Sequence, residues 1–238
     1  MTNFKKKSMS LLGLLFTIMV ISLTSHYETT ATAAEFTLSN EDLSEIKAAL
    51  HEYGITEEVQ ESLIEKLENG EVWDCMNPEK TSQIPEGYLN VSIDDPIKRY
   101  DFPDGSFIET KLEIVKDDFI SNYDITEGST SSGTGYVNRT GVKITASKGA
   151  LLGMGFFADF THVQSGYDQI SRVYDQWVKV IGGNASSVTL QIVKANEDSN
   201  GPAQAKLTAQ VNWLGIGTSG TEWLYLNVGS DSAWSSEN

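Results

Sequence analysis

The chain is poor in cysteine, histidine, positive charge and long apolar runs. It holds one cysteine, three histidines and 17 lysines and arginines against 33 aspartates and glutamates in 238 residues. One cysteine excludes an internal disulfide and a multi-cysteine zinc site. A net charge of -16 repels phosphate polymers and anionic bilayers, so neither nucleic acid nor a lipid surface is expected as a partner. What is present suffices for a core. Hydrophobic residues make up 39% and aromatics 10%, which excludes wholesale disorder.

The longest apolar run, Leu11 to Leu23, follows a basic cluster of Lys5, Lys6 and Lys7. As a helix that run spans about 20 Å, short of the roughly 30 Å hydrocarbon core. Ala31-Thr32-Ala33 supplies the small residues of a signal peptidase site, with cleavage after Ala33 expected and after Ala34 the near alternative. Residues 1–33 are therefore read as a signal peptide of Gram-positive style. No second apolar stretch approaches spanning length, so a secreted, extracellular protein without a stable membrane anchor is expected.

Residues 35–77 read as a helical hairpin. Ser39 is placed to cap a helix, with Asp42 at the capping-box position and Leu38 and Leu43 at the staple positions. Leu43, Ile46, Leu50 and Tyr53 follow at helical spacing until Gly54. Thr56 is the expected cap of a second helix, whose buried stripe is Val59, Leu63 and Leu67. Trp73 and Met76 are candidate plugs for the pair. Residues 78–90 read as a linker.

From Val91 the pattern changes to period two. Lys98 to Phe102 and Ser106 to Val115 flank the turn signal Pro103-Asp104-Gly105. Glu127 to Gly135, poor in apolar residues, reads as an exposed loop. Tyr136 to Ala146, Leu151 to Val163 and Val188 to Val193 are further strands, and Gly166 to Ile181 fits either a helix face or a strand. Short strands without helical crossovers predict an α+β, mainly β fold: a helical hairpin, then an antiparallel β-sandwich over 91–230 and a tail at 231–238.

The last two strands carry the clearest alternation. A hairpin centred on Gly217-Thr218 pairs Val211 with Leu224, Ala209 with Leu226 and Leu207 with Val228, all apolar on one face. The other face then carries Trp223, Tyr225, Asn227, Asn212, Gln210 and Thr208, two aromatics among amides and hydroxyls without formal charge. Such a surface stacks on sugars or docks a partner. These six residues are the candidate ligand site.

Other motifs point to structure. Gly215-Ile216-Gly217-Thr218-Ser219-Gly220 has the letters of a dinucleotide fingerprint, but a strand pattern follows where a helix N-terminus is needed. Asn196 to Gly201 resembles the start of a calcium loop, yet the twelfth position is Leu207 and not a bidentate glutamate, so a strand connection is expected. Cys75 follows Asp74, whose charge opposes a thiolate, and pairs with His162 as nucleophile and base only if the fold joins them. No catalytic residue, metal ligand or cofactor is assigned.

Leu63-Ile64-Glu65-Lys66-Leu67-Glu68-Asn69-Gly70-Glu71-Val72-Trp73-Asp74-Cys75-Met76-Asn77-Pro78 resembles a segment of uncharacterised secreted proteins of Gram-positive bacteria. There a two-helix module ending in a Lys-Leu…Gly-Glu-x-Trp-Asp run precedes a β-rich domain. Phe156 to Phe160 and Ile170 to Tyr174 are similar to the β part of the same family. The resemblance implies secretion and this architecture and transfers no catalytic residue; Cys75 stands where those proteins carry serine. The expected function is non-enzymatic binding of an extracellular saccharide or protein. The alternatives are a bacteriocin-like or pore-forming toxin, with Thr130 to Met154 as the refolding segment, and a glycoside-type hydrolase.

Overall fold

A computed structural model describes residues 38–114, 129–213 and 218–237. The expected signal peptide with Ala31 and Ala33, and the first glycines of the fingerprint-like run, lie outside the described residues.

Among the described residues the helices are α1 (Asn40–Glu52), α2 (Glu57–Glu68) and the short α3 (Pro78–Thr81), with a 3-10 turn at Asp74–Met76 between the last two. Ser39 caps α1 through a complete capping box: its hydroxyl accepts the Asp42 N–H at 3.1 Å, and the Asp42 carboxylate accepts the Ser39 N–H at 3.2 Å. Thr56 precedes α2 in extended conformation, but its side chain makes no capping bond. Among the described residues no helix is long and apolar enough to cross a membrane.

The strands are β1 (Val91–Ser92), β2 (Ile97–Asp101), β3 (Phe107–Ile114), β4 (Ser129–Gly133), β5 (Tyr136–Lys148) and β6 (Leu152–Val163). They continue with β7 (Gln169–Val180), β8 (Gly183–Lys194), β9 (Ala203–Trp213), β10 (Thr218–Gly229) and β11 (Ser232–Glu237). One sheet runs β1-β11-β10-β9-β8 and the other β2-β3-β5-β6-β7, with β4 added beside β5. Among the described residues every strand pairing is antiparallel, and the protein is mainly β.

Alternation decides which side chains are buried. Leu112, Val142, Ile144, Met154 and Phe156 of one sheet share a single apolar cluster with Ala205, Leu207, Leu224 and Leu226 of the other. A second cluster joins Ile46, Leu50, Leu63 and Leu67 of the helices to Leu151, Leu152, Ile181 and Val211. Neither helix is long enough to persist alone in water, and burial of these stripes supplies what local propensity lacks. Trp73, fully buried, donates its indole N–H to the Leu63 carbonyl at 2.7 Å and so fixes the chain leaving α2.

Four expectations are corrected. The final hairpin pairs Leu207 with Leu224, Ala205 with Leu226 and Ala203 with Val228, four residues away from the expected register. Period-two patterning fixes register only to an even number of residues, so the faces are as expected although the partners are not. Ser129 to Gly133, read as a loop, is β4, an exposed strand held to β5 by backbone pairing and lacking any apolar residue to announce it. Residues 231–238, read as a tail, carry β11, whose only buried apolar side chain is Ala233. Residues 78–90, read as a linker, carry α3 and lend Ile84 and Leu89 to the helical cluster. Gly166 to Ile181 resolves as β7 and the turn before it.

Candidate functional site

The outer face of the first sheet is set by the same alternation that buries Leu207, Leu224 and Leu226. Trp223 lies opposite Thr208, Tyr225 opposite Lys206, and Asn227 opposite both Gln204 and Trp234. Directly opposed residues share a face, so Trp223, Tyr225, Asn227, Thr208, Gln210 and Asn212 stand together on the side away from the core. The structure places all six candidate residues on one face of the sheet, with Asn227 buried there.

Two features differ from the expected picture. The face is not free of charge: the Lys206 ammonium lies 5.0 Å from the Trp223 ring centroid and 5.0 Å from that of Tyr225. The reason is cross-strand position, since Lys206 has the polar parity of β9 and sits directly opposite Tyr225. At these distances the cation is attracted by both ring quadrupoles and gathers the two aromatics around one positive centre. Asn227, in turn, is buried and accepts from the Gln204 amide at 2.9 Å, so it orients the strands and is not offered outward.

The amides around the aromatics are ordered by neighbours on adjacent strands. Gln210 donates to the Thr221 hydroxyl at 2.6 Å, and Asn212 donates to Asn184 of β8 at 3.4 Å. Thr189 and Gln191 of β8 extend the polar field, opposite Thr208 and Lys206. At the other edge, Trp234 and Ser236 of β11 line a concavity of 540 Å³ with Tyr88, Pro85 and Asn90. Trp234 was missed in the sequence because β11 was; its signal is the Ala233-Trp234-Ser235 alternation.

The rejected motifs have structural roles. Asp198 accepts from the Lys194 ammonium at 2.6 Å and the Asn200 N–H at 2.8 Å, closing the β8–β9 turn where the calcium-like run lies. Among the described residues no cluster of three His, Cys, Asp or Glu side chains is placed to hold a metal. Cys75 belongs to the helical cluster, where burial, as the largest effect, pushes its thiol up to about 12. His162 sits elsewhere, its Nδ1 2.9 Å from Asp168 Oδ2 and its ring against Phe160 of the other cluster. The fold does not join Cys75 to His162.

No protein-family model matches the chain, and no curated protein does. A solved structure of a hypothetical protein from Listeria monocytogenes EGD-e is similar at a TM-score of 0.33 and 16% identity, over 62% of this chain and 94% of that one.

Proposed function

We propose that the protein is exported, that its two sheets form a β-sandwich with an αα-hairpin at one end, and that it binds an extracellular saccharide without catalysing a reaction. The resemblance to secreted Gram-positive proteins belongs to the same reading. The observation that carries it is the placement of Lys206 between Trp223 and Tyr225 in a field of hydroxyls and amides. Aromatic rings offer apolar faces to the C–H side of a sugar, while Lys206, Thr208 and Gln210 supply polar atoms for its hydroxyls. Strands hold these groups more rigidly than loops would, which lowers the ordering cost of binding. Burying Asn227 behind the surface fixes the register that aligns them.

The test is a glycan array probed with residues 35–238, followed by calorimetry on the glycans retained. Wild type is expected to bind at least one glycan saturably. Trp223→Ala and Tyr225→Ala are each expected to weaken binding at least about tenfold, as loss of an aromatic anchor does. Affinity and stoichiometry both unchanged in the double variant, or an array without a retained glycan, overturns the reading.

A further inference from the structure

The opposite sheet carries an aromatic feature of its own. Along β6, Met154 and Phe156 point into the core, so Gly153 and Gly155 occupy outward positions. Trp177 of β7 pairs with Gly155 and lies flat across both glycines: a Cβ at Gly153 would come within 2.9 Å of its Cζ3, and one at Gly155 within 2.9 Å of its Nε1. The missing side chains let the indole rest on the backbone itself. The residue remains 37% exposed and lines a cleft.

Facing it across β5 and β3 is Tyr53, at the C-terminal end of α1, braced by Phe107 at 4.6 Å between ring centroids. Between the two aromatics is a cleft of 220 Å³, floored by Thr145 and Ser147 and flanked by Glu109, Lys111, Glu113 and Lys143. Glu109 is buried and held by Lys111 at 2.9 Å, which fixes both in place. Two carboxylates and two ammoniums give the cleft no net charge in a protein whose total is -16.

From this arrangement we infer a second ligand site, independent of the Trp223 face, that takes one neutral pyranose unit of a glycan. The volume suits a single sugar ring. Trp177 supplies a rigid stacking surface at one wall and Tyr53 a second ring at the other. Glu109 accepts hydrogen bonds from sugar hydroxyls, and Lys111, Lys143, Thr145 and Ser147 donate to them. Balanced charge favours a neutral polyol over an anion or a cation, because either ion would meet one like-charged pair at close range.

The experiment uses residues 35–238 and three neutral probes, cellohexaose, chitohexaose and maltohexaose, titrated by calorimetry and by tryptophan fluorescence. At least one is expected to bind, and Trp177→Ala to weaken it at least about tenfold. Glu109→Gln is expected to weaken the same probe, with thermal unfolding of both variants checked against wild type. Trp177→Phe, which keeps a ring on the glycine shelf, is expected to retain part of the affinity and guards against a folding artefact. In the Trp223→Ala, Tyr225→Ala background, which removes the anchors of the other face, the binding that remains is expected to keep its dependence on Trp177. Binding abolished by Trp223→Ala and untouched by Trp177→Ala overturns the second site while leaving the first; binding of none of the probes overturns it as well.

Discussion

Gly149 lies against the face of Trp73 so closely that a Cβ there would fall 2.6 Å from ring atom Cε3 and 3.0 Å from the Cys75 sulfur. The glycine is also in the left-handed region, at φ +57°. It forms part of the β5–β6 turn, donating its N–H to the Phe107 carbonyl at 2.7 Å, and so marks where the helical segment docks on the sheets. Gly149→Ala therefore meets two costs, a strained backbone and an overfilled core.

The expected loss is about 2–4 kcal/mol, a drop of roughly 5–15 °C in unfolding midpoint for a chain of this size. Calorimetry on wild type and variant checks it. A midpoint within a degree of wild type would mean that Trp73 moves aside freely, against its full burial and its bond to Leu63.

How much of this was legible follows from what each residue's neighbours demand. The Ser39 cap was, because a capping box is built from residues three apart. The apolar face of β9 and β10 was, because alternation survives any even shift, and for that same reason the register was not. β4 was hidden by its lack of apolar side chains and β11 by burying a single small one, Ala233, since backbone pairing leaves no trace in residue type. Lys206 had the right parity to be placed on the candidate face, but only the true register puts it opposite Tyr225. The Trp177 cleft left one readable mark, Gly153 and Gly155 two apart inside an apolar strand pattern, where glycine signals close approach. Tyr53 comes to that cleft from a distant helix, which no local pattern encodes.

Cys75 is expected to be inert in the folded protein. It is fully buried, and burial first, then the nearby Asp104 carboxylate, raises its thiol, while the Ser106 hydrogen bond and Lys148 act the other way. The thiolate is the reactive form, so at pH 8 a group pushed up to about 12 supplies almost none. A thiol reagent such as Ellman's is expected to leave the native protein unmodified over hours and to titrate one thiol in denaturant. Rapid stoichiometric labelling of native protein would show that the segment around the 3-10 turn opens readily.

Asp104 gives the docking of the helices a pH dependence. Its Oδ2 accepts from the Lys66 ammonium and from the Asp74 N–H, each at 2.9 Å, and its Oδ1 accepts from the Ser106 hydroxyl at 2.6 Å. Burial alone would raise the carboxyl, but these hydrogen bonds outweigh it and hold it below the ordinary aspartate range. A depressed folded value means that its stabilisation is fully present above the unfolded value, about 3.9, and is lost as pH falls through the folded one. Asp104→Asn is expected to cost about 2–4 kcal/mol at pH 7. In urea unfolding the gap between wild type and variant is expected to close as pH drops from 5 toward 2. A gap independent of pH would remove the charge from the explanation.

Asp168 holds three loops at once. It is fully buried; its Oδ1 accepts the Val163 N–H at 2.8 Å, and its Oδ2 meets His162 Nδ1 at 2.9 Å and the Asp231 N–H at 3.0 Å. Glu197 completes the clamp, accepting the Ser230 N–H at 2.9 Å and the Asp168 N–H at 3.1 Å. Two carboxylates thus satisfy both N–H groups of the β10–β11 turn, whose Ser230 and Asp231 stand at φ +53° and +58°. That turn geometry suits glycine, so Asp231→Gly is expected to stabilise the protein by about 0.5–1 kcal/mol. Asp168→Ala strips a buried acceptor from three donors at once, and the expected loss is about 3–5 kcal/mol. Denaturant unfolding measures both, and hydrogen exchange at Val163 and Asp231 locates the second effect. If Asp168→Ala leaves those two amides protected, water replaces the carboxylate and the turn is held by backbone pairing alone.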